Sequence, residues 1–152
     1  MDAKVSSLLC STAMIAVLGM AGNRNVYAQT PACTEFSSSV TIQISTSGEA
    51  AKVEPDRACV DTGGKVNWTA ADGETWKTDF ADDDHSAFKP GHMHYRGKVH
   101  KAIGARVRAC STSDPRFNEA AGGCVFKYTA THVKGGKTST IDPDIVIKPG
   151  SK

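Results

Sequence analysis

The stretch "DHSAFKPGHMHYRGKVHK", residues 84–101, holds four of the five histidines of the chain and, in Met93, its only methionine beyond the N-terminal leader. Side chains two positions apart in an extended segment point to the same face. His92 and His94 would therefore offer two imidazoles to one ion while Met93 points away. His100 lies six positions beyond His94, again an even spacing, although Gly97 is expected to interrupt the strand between them. His85 would approach across the loop closed by "KPG". Two or three imidazoles suit Cu(II), Zn(II) or Ni(II), with copper held most tightly in the usual order. The competing reading is a solvated loop whose histidines are ordinary polar residues, and a lone His-x-His spacing argues only weakly against it. We take the loop as the first reading. A copper or zinc site at His92, His94 and His100, with His85 or His132 as a further ligand, is the second.

Other chemistry is sparser. The run "DFADDDH" offers Asp79, Asp82, Asp83 and Asp84 to a hard cation, but it lacks the spaced Asp/Asn pattern and closing glutamate of a calcium loop. It reads as a charged, solvated loop. No Gly-x-Ser-x-Gly elbow occurs. Asp72 and Glu74 would sit at an exposed turn tip, where nothing raises a carboxyl pKa as acid–base catalysis requires. The expectation is a protein that is not an enzyme. "NWT" at Asn67 fits the N-glycosylation pattern but falls within an expected strand.

The N-terminus reads as an export signal. Lys4 precedes an apolar run of about 15 residues from Leu8 to Gly22, too short to span a bilayer comfortably. Val26 and Ala28 then occupy the −3 and −1 positions that a signal peptidase reads. Residues 1–28 are expected to be a cleaved signal peptide and residues 29–152 one domain, periplasmic or secreted, with no membrane span after cleavage. Such a chain is long enough for one core and not for two. The formal net charge of +2, with scattered lysines, gives no basic run, so nucleic acid is a poor partner.

Export changes how the cysteines are read. Setting aside Cys10 in the leader leaves Cys33, Cys59, Cys110 and Cys124, an even number in an oxidising compartment. Of the three possible pairings, Cys110–Cys124 is favoured, because "STSDPRFNEAAGG" looks like a polar excursion stapled at its base. Cys33 then pairs with Cys59 by elimination. No Cys-x-x-Cys is present to suggest a structural zinc.

The mature part must position these residues with strands. "SVTIQIS" alternates Val40, Ile42 and Ile44 with polar residues; "KVNWTA" alternates Val66 and Trp68. "TWKTDF" follows the turn "ADGE", so residues 65–80 read as a hairpin. "AIGARVRA", "VFKYTAT" and "DIVIKP" add three more strands, and "DPRFNEAAGG" has room for one helical turn. Val66, Trp68, Phe126, Tyr128 and Ile145 fall on the apolar phase and are the expected core. This pattern predicts an all-β, antiparallel sandwich or barrel.

The order of the pieces resembles the cupredoxins. "VEPDRACVDTGGKVNWTAADGETWKTDF" is similar to their centre, and "GGCVFKYTATHVKGG" with "DPDIVI" to their end, so the resemblance covers roughly Val40 to Ile147. It implies an antiparallel, Greek-key, cupredoxin-like sandwich. Blue-copper members of that family take a histidine from the central region and a cysteine, a histidine and usually a methionine from the loop before the last strand. Here Trp76 stands about where the first histidine would fall and Ala130 about where the cysteine would fall. No methionine follows Met93, and His132 alone remains of the second histidine. The resemblance therefore implies a cupredoxin-like fold without a type-1 copper centre, and hence a non-catalytic exported domain. Its expected partner is an unidentified protein, a cell-envelope component or a small molecule, with no cofactor beyond the copper or zinc of the second reading.

Overall fold

The computed structural model of the chain describes residues 31–73, 75–98, 100 and 103–150, and these form two β-sheets. Their strands are β1 (Ser37–Ser47), β2 (Ala50–Glu54), β3 (Arg57–Ala70), β4 (Thr75–Asp79), β5 (His94–Lys98), β6 (Ile103–Arg106), β7 (Phe117–Asn118), β8 (Gly123–Lys127), β9 (Thr129–Lys134), β10 (Lys137–Ile141) and β11 (Asp144–Ile147). A single 3-10 turn at Glu119–Ala121 accounts for the expected helical turn. The expected leader, residues 1–28, lies outside the described residues.

The larger sheet runs β2-β1-β3-β11-β8-β7, with β6 also paired to β3; the smaller runs β10-β9-β4-β5. The chain is all-β as expected, but the larger sheet is mixed rather than antiparallel throughout. β1 and β11 both pair with β3 in parallel, and only antiparallel neighbours can be joined by a tight turn. β3 is long enough to serve β11 with Arg57–Val60 and β6 with Lys65–Trp68, end to end along one side. Between those halves Gly63 takes φ +70, a backbone that side chains resist. Here the β1–β3 register also slips.

Two expectations about connections are corrected. Residues 65–80 are not a hairpin, because β3 and β4 lie in different sheets and β4 pairs with β5 and β9 instead. The turn at 71–73 carries the chain across the core, with the Ala71 N–H donating to the Ile44 carbonyl at 3.1 Å. "VFKYTAT" likewise is two strands, β8 in the larger sheet and β9 in the smaller, crossing over at Tyr128. Alternation alone cannot tell a strand that continues from one that changes sheets.

Between the sheets lies one core. Trp68 from β3, Phe80 and Phe88 from the segments around β4, Tyr95 from β5 and Tyr128 form an aromatic cluster with ring centroids 4.8–5.9 Å apart. Val66, Trp68, Phe126, Tyr128 and Ile145 are all buried, as the alternation predicts.

Both expected disulfides are formed. Cys110–Cys124 closes the excursion before β8, and Cys33–Cys59 fastens the segment before β1 to β3. A fork joins the starts of β3 and β11: Arg57 donates from Nε and a terminal nitrogen to the two oxygens of Asp144, at 2.8 and 2.7 Å. This hydrogen bonding raises the Arg57 pKa further above its already high value.

Candidate functional site

The histidine segment is ordered from its apolar side. Ala87 and Phe88 are buried, and Phe88 packs against Trp68, Phe80 and Tyr95. The buried Ser86 hydroxyl donates to the His92 carbonyl at 3.0 Å and accepts from the Phe88 N–H at 3.2 Å. The Gly91 N–H donates to Asp83 at 2.6 Å, and Arg108 donates to the Asp83 and Ser86 carbonyls. Those contacts fix the loop and leave its histidines outside.

The four histidines go to different places. β5 begins at His94, so His92 precedes the strand, in a turn closed by its N–H on the Lys89 carbonyl at 3.2 Å. The same-face argument for "HMH" fails there, because it needs both residues in one extended run. His94 Nδ1 lies 2.9 Å from an Asp79 oxygen, and His85 Nδ1 lies 2.7 Å from one of Asp82. Gly97 does not interrupt β5; it sits beneath the Trp76 indole, where a Cβ would approach the ring to 2.6 Å. His100 follows at φ +59, its N–H on the Ala70 carbonyl. His132 is fully buried in β9, directly opposite Trp76, with Nε2 2.6 Å from the Asp72 carbonyl oxygen. Among the described residues, no three or more His, Cys, Asp or Glu side chains are grouped to hold a metal ion, at the histidines or at the acidic run. Glu74 lies outside the described residues, and Asp72 is ion-paired to Lys134.

Across the outer face of the smaller sheet runs an open groove of about 880 Å³. Alternation builds it. β5 turns Tyr95 into the core and leaves His94, Arg96 and Lys98 outside, while β4 buries Trp76 and Thr78 and leaves Thr75, Lys77 and Asp79 outside. Thr131 and Val133 of β9 line it beside them. Register places Lys98 opposite Thr75, Arg96 opposite Lys77 and His94 opposite Asp79. Lys77 reaches Asp79 at 3.1 Å. Burial alone would push the Asp79 carboxyl up, but the hydrogen bonds from His94 and Lys77 outweigh it and hold the group below the ordinary carboxylate range. Sequence reasoning missed Lys77, Arg96 and Lys98. The signal was present as period-2 charge in "TWKTD" and "HYRGK", overshadowed by the histidines.

Among the described residues no helix is long and apolar enough to cross a membrane. Compared with known protein families, curated proteins and solved structures, the chain matches none.

Proposed function

We propose that the chain is an exported, non-catalytic binding domain with a cupredoxin-like, Greek-key arrangement and no type-1 copper centre. Its binding face is the groove over β4, β5 and β9. The observation that carries this reading is the groove itself, an open surface carried on a two-sheet support, in which Trp76, Ile103 and Val133 give an apolar floor and Lys77, Asp79, His94, Arg96 and Lys98 supply convergent charge. Four further features support it. All four cysteines of the described residues are spent in disulfides, so none offers the thiolate that a blue-copper site needs. Trp76 fills the position opposite His132, where the resemblance would put a histidine. Disulfides of this kind persist in oxidising compartments, which fits export. The one carboxylate lining the groove among the described residues, Asp79, is held below the ordinary carboxylate range by its neighbours, which makes it a weak general base.

The test is a thermal-shift panel of soluble oligosaccharides, polyanions and peptides, followed by NMR shift mapping of each stabilising compound. Shifts confined to Thr75–Asp79, His94–Lys98 and Thr131–Val133 are expected. Mapping to another face, or no stabilisation by any member of the panel, overturns the reading.

A further inference from the structure

The charges of the groove are uneven, and that unevenness names a ligand class. Lys77 and Arg96 are directly opposed on neighbouring strands of one face. Opposed like charges destabilise a sheet, and Asp79 offsets only the Lys77 side of this pair. The one carboxylate in the groove cannot serve all the cations around it. One oxygen of Asp79 takes Lys77 at 3.1 Å and the other takes His94 at 2.9 Å. Arg96 and Lys98 are exposed in the groove with no carboxylate within ion-pair distance among the described residues. They stand two positions apart on β5, so their charges repeat along the groove at about 7 Å. Beside the cations stand the exposed threonines Thr75 and Thr138, whose hydroxyls suit a ligand rich in hydroxyl groups. The groove is open rather than a closed cavity, which suits a chain lying across it better than a single enclosed ion.

We propose that this groove binds an anionic polysaccharide, with Lys77, Arg96 and Lys98 pairing with its sulfate or carboxylate groups and the threonine hydroxyls meeting its sugar hydroxyls. The proposal rests on the reading that the groove is the binding face, and it specifies what that face takes. An arginine and two lysines at one site give charge-assisted hydrogen bonds, and Arg96 adds a planar fork for two oxygens.

The experiment is a binding titration of the purified protein with dextran sulfate, with neutral dextran and poly-glutamate as comparison ligands. Two double variants are measured beside the wild type. Arg96→Gln/Lys98→Gln removes charge from the groove; Lys65→Gln/Lys127→Gln removes the same charge from exposed positions on the larger sheet. Unchanged near-ultraviolet circular dichroism and melting temperature establish that both are folded. We expect saturable binding of dextran sulfate that weakens as salt rises, about tenfold weaker in the groove variant, or about 1.4 kcal/mol, and unchanged in the other. Equal losses in both variants would reduce the effect to net charge and overturn the proposal. Absence of binding, or equal binding of neutral dextran, overturns it as well. Poly-glutamate binding as tightly as dextran sulfate through Arg96 and Lys98 overturns the sugar assignment in favour of an acidic peptide. If dextran sulfate fails while shift mapping still places another ligand in the groove, the binding-face reading survives and the polysaccharide assignment alone falls.

Discussion

Trp68 is fully buried at the centre of the aromatic cluster, in edge or tilted contact with Phe88, Tyr95 and Tyr128. Replacing it by alanine removes those contacts and leaves a cavity that strands on two sheets cannot collapse to fill. Trp68→Ala should therefore cost roughly 3–5 kcal/mol in urea unfolding, and a change under about 1 kcal/mol would contradict its placement. Thr78 predicts the opposite behaviour. Its hydroxyl is buried without a hydrogen-bond partner among the described residues, so it gains nothing to offset its desolvation. Thr78→Val keeps the shape and a strand-favouring side chain, and should be neutral or stabilising by up to about 1 kcal/mol. A loss above that would mean that the hydroxyl has a partner, for example a bound water. At this scale the sequence was legible where residues obey the strand period. Trp68 and Tyr128 follow it, and their burial could be read directly. The histidines could not be read this way, because Phe88 anchors their loop on Trp68 of a distant strand and the Ser86 hydroxyl folds the loop back onto the His92 carbonyl, and no local pattern announces such contacts.

Among elements, the long strand β3 is the one on which the larger sheet depends, since β1, β6 and β11 all pair with it. Sequence reading found most of its second half from "KVNWTA" but not the first, because the "TGG" that separates them looks like a turn. In the fold the chain passes through that point in a left-handed kink and continues as the same strand. β2 and β10 escaped notice because their patterns are weak: β2 buries only Ala51 and Val53, and β10, with no buried residue, has no apolar phase to read. The crossovers from β3 to β4 and from β8 to β9 were invisible because the pairing partner of a strand is a long-range property. The disulfides were legible, since their pairing followed from the polar excursion between two strands. Loss of the Cys110–Cys124 bridge, by Cys110→Ala/Cys124→Ala, should destabilise the domain by about 2–5 kcal/mol. The Arg57–Asp144 fork was not legible; it ties β3 to β11, a seam that neither disulfide crosses. Its side chains are 15% and 11% exposed, so removing Asp144 takes two charge-assisted hydrogen bonds from a largely buried guanidinium. Asp144→Ala should cost about 3 kcal/mol, near the lower end for a broken buried pair. An exposed pair such as Lys52–Glu54 should show less than about 1 kcal/mol by the same measurement.

For the molecule as a whole, the two sheets share one aromatic core, and that core carries two phenols. The hydroxyls of Tyr95 and Tyr128 are buried and lack hydrogen-bond partners among the described residues. Burial drives the Tyr95 pKa up to about 12. Burial raises that of Tyr128 further, although the nearby Trp68 indole, short of hydrogen-bond geometry, tempers the shift. In the unfolded chain both ionise near their ordinary value of about 10. The sign of the linkage follows. Below pH 10 both states keep these protons, and the tyrosines make no demand. Between pH about 10 and 12 the unfolded state releases them while the folded state holds them, so the unfolded state binds fewer protons and stability falls as pH rises. Each tyrosine then contributes a slope of about 1.4 kcal/mol per pH unit, superimposed on the titration of the lysines. The double variant Tyr95→Phe/Tyr128→Phe isolates this contribution, because it leaves the lysines in place and fits the same core space. Urea midpoints measured at pH 9, 10 and 11 should fall more steeply for the wild type than for the variant, with the two curves diverging only above pH about 10. Curves that stay parallel over that range would show that water reaches both phenols in the folded protein, and that the core between the sheets is open where the structure closes it.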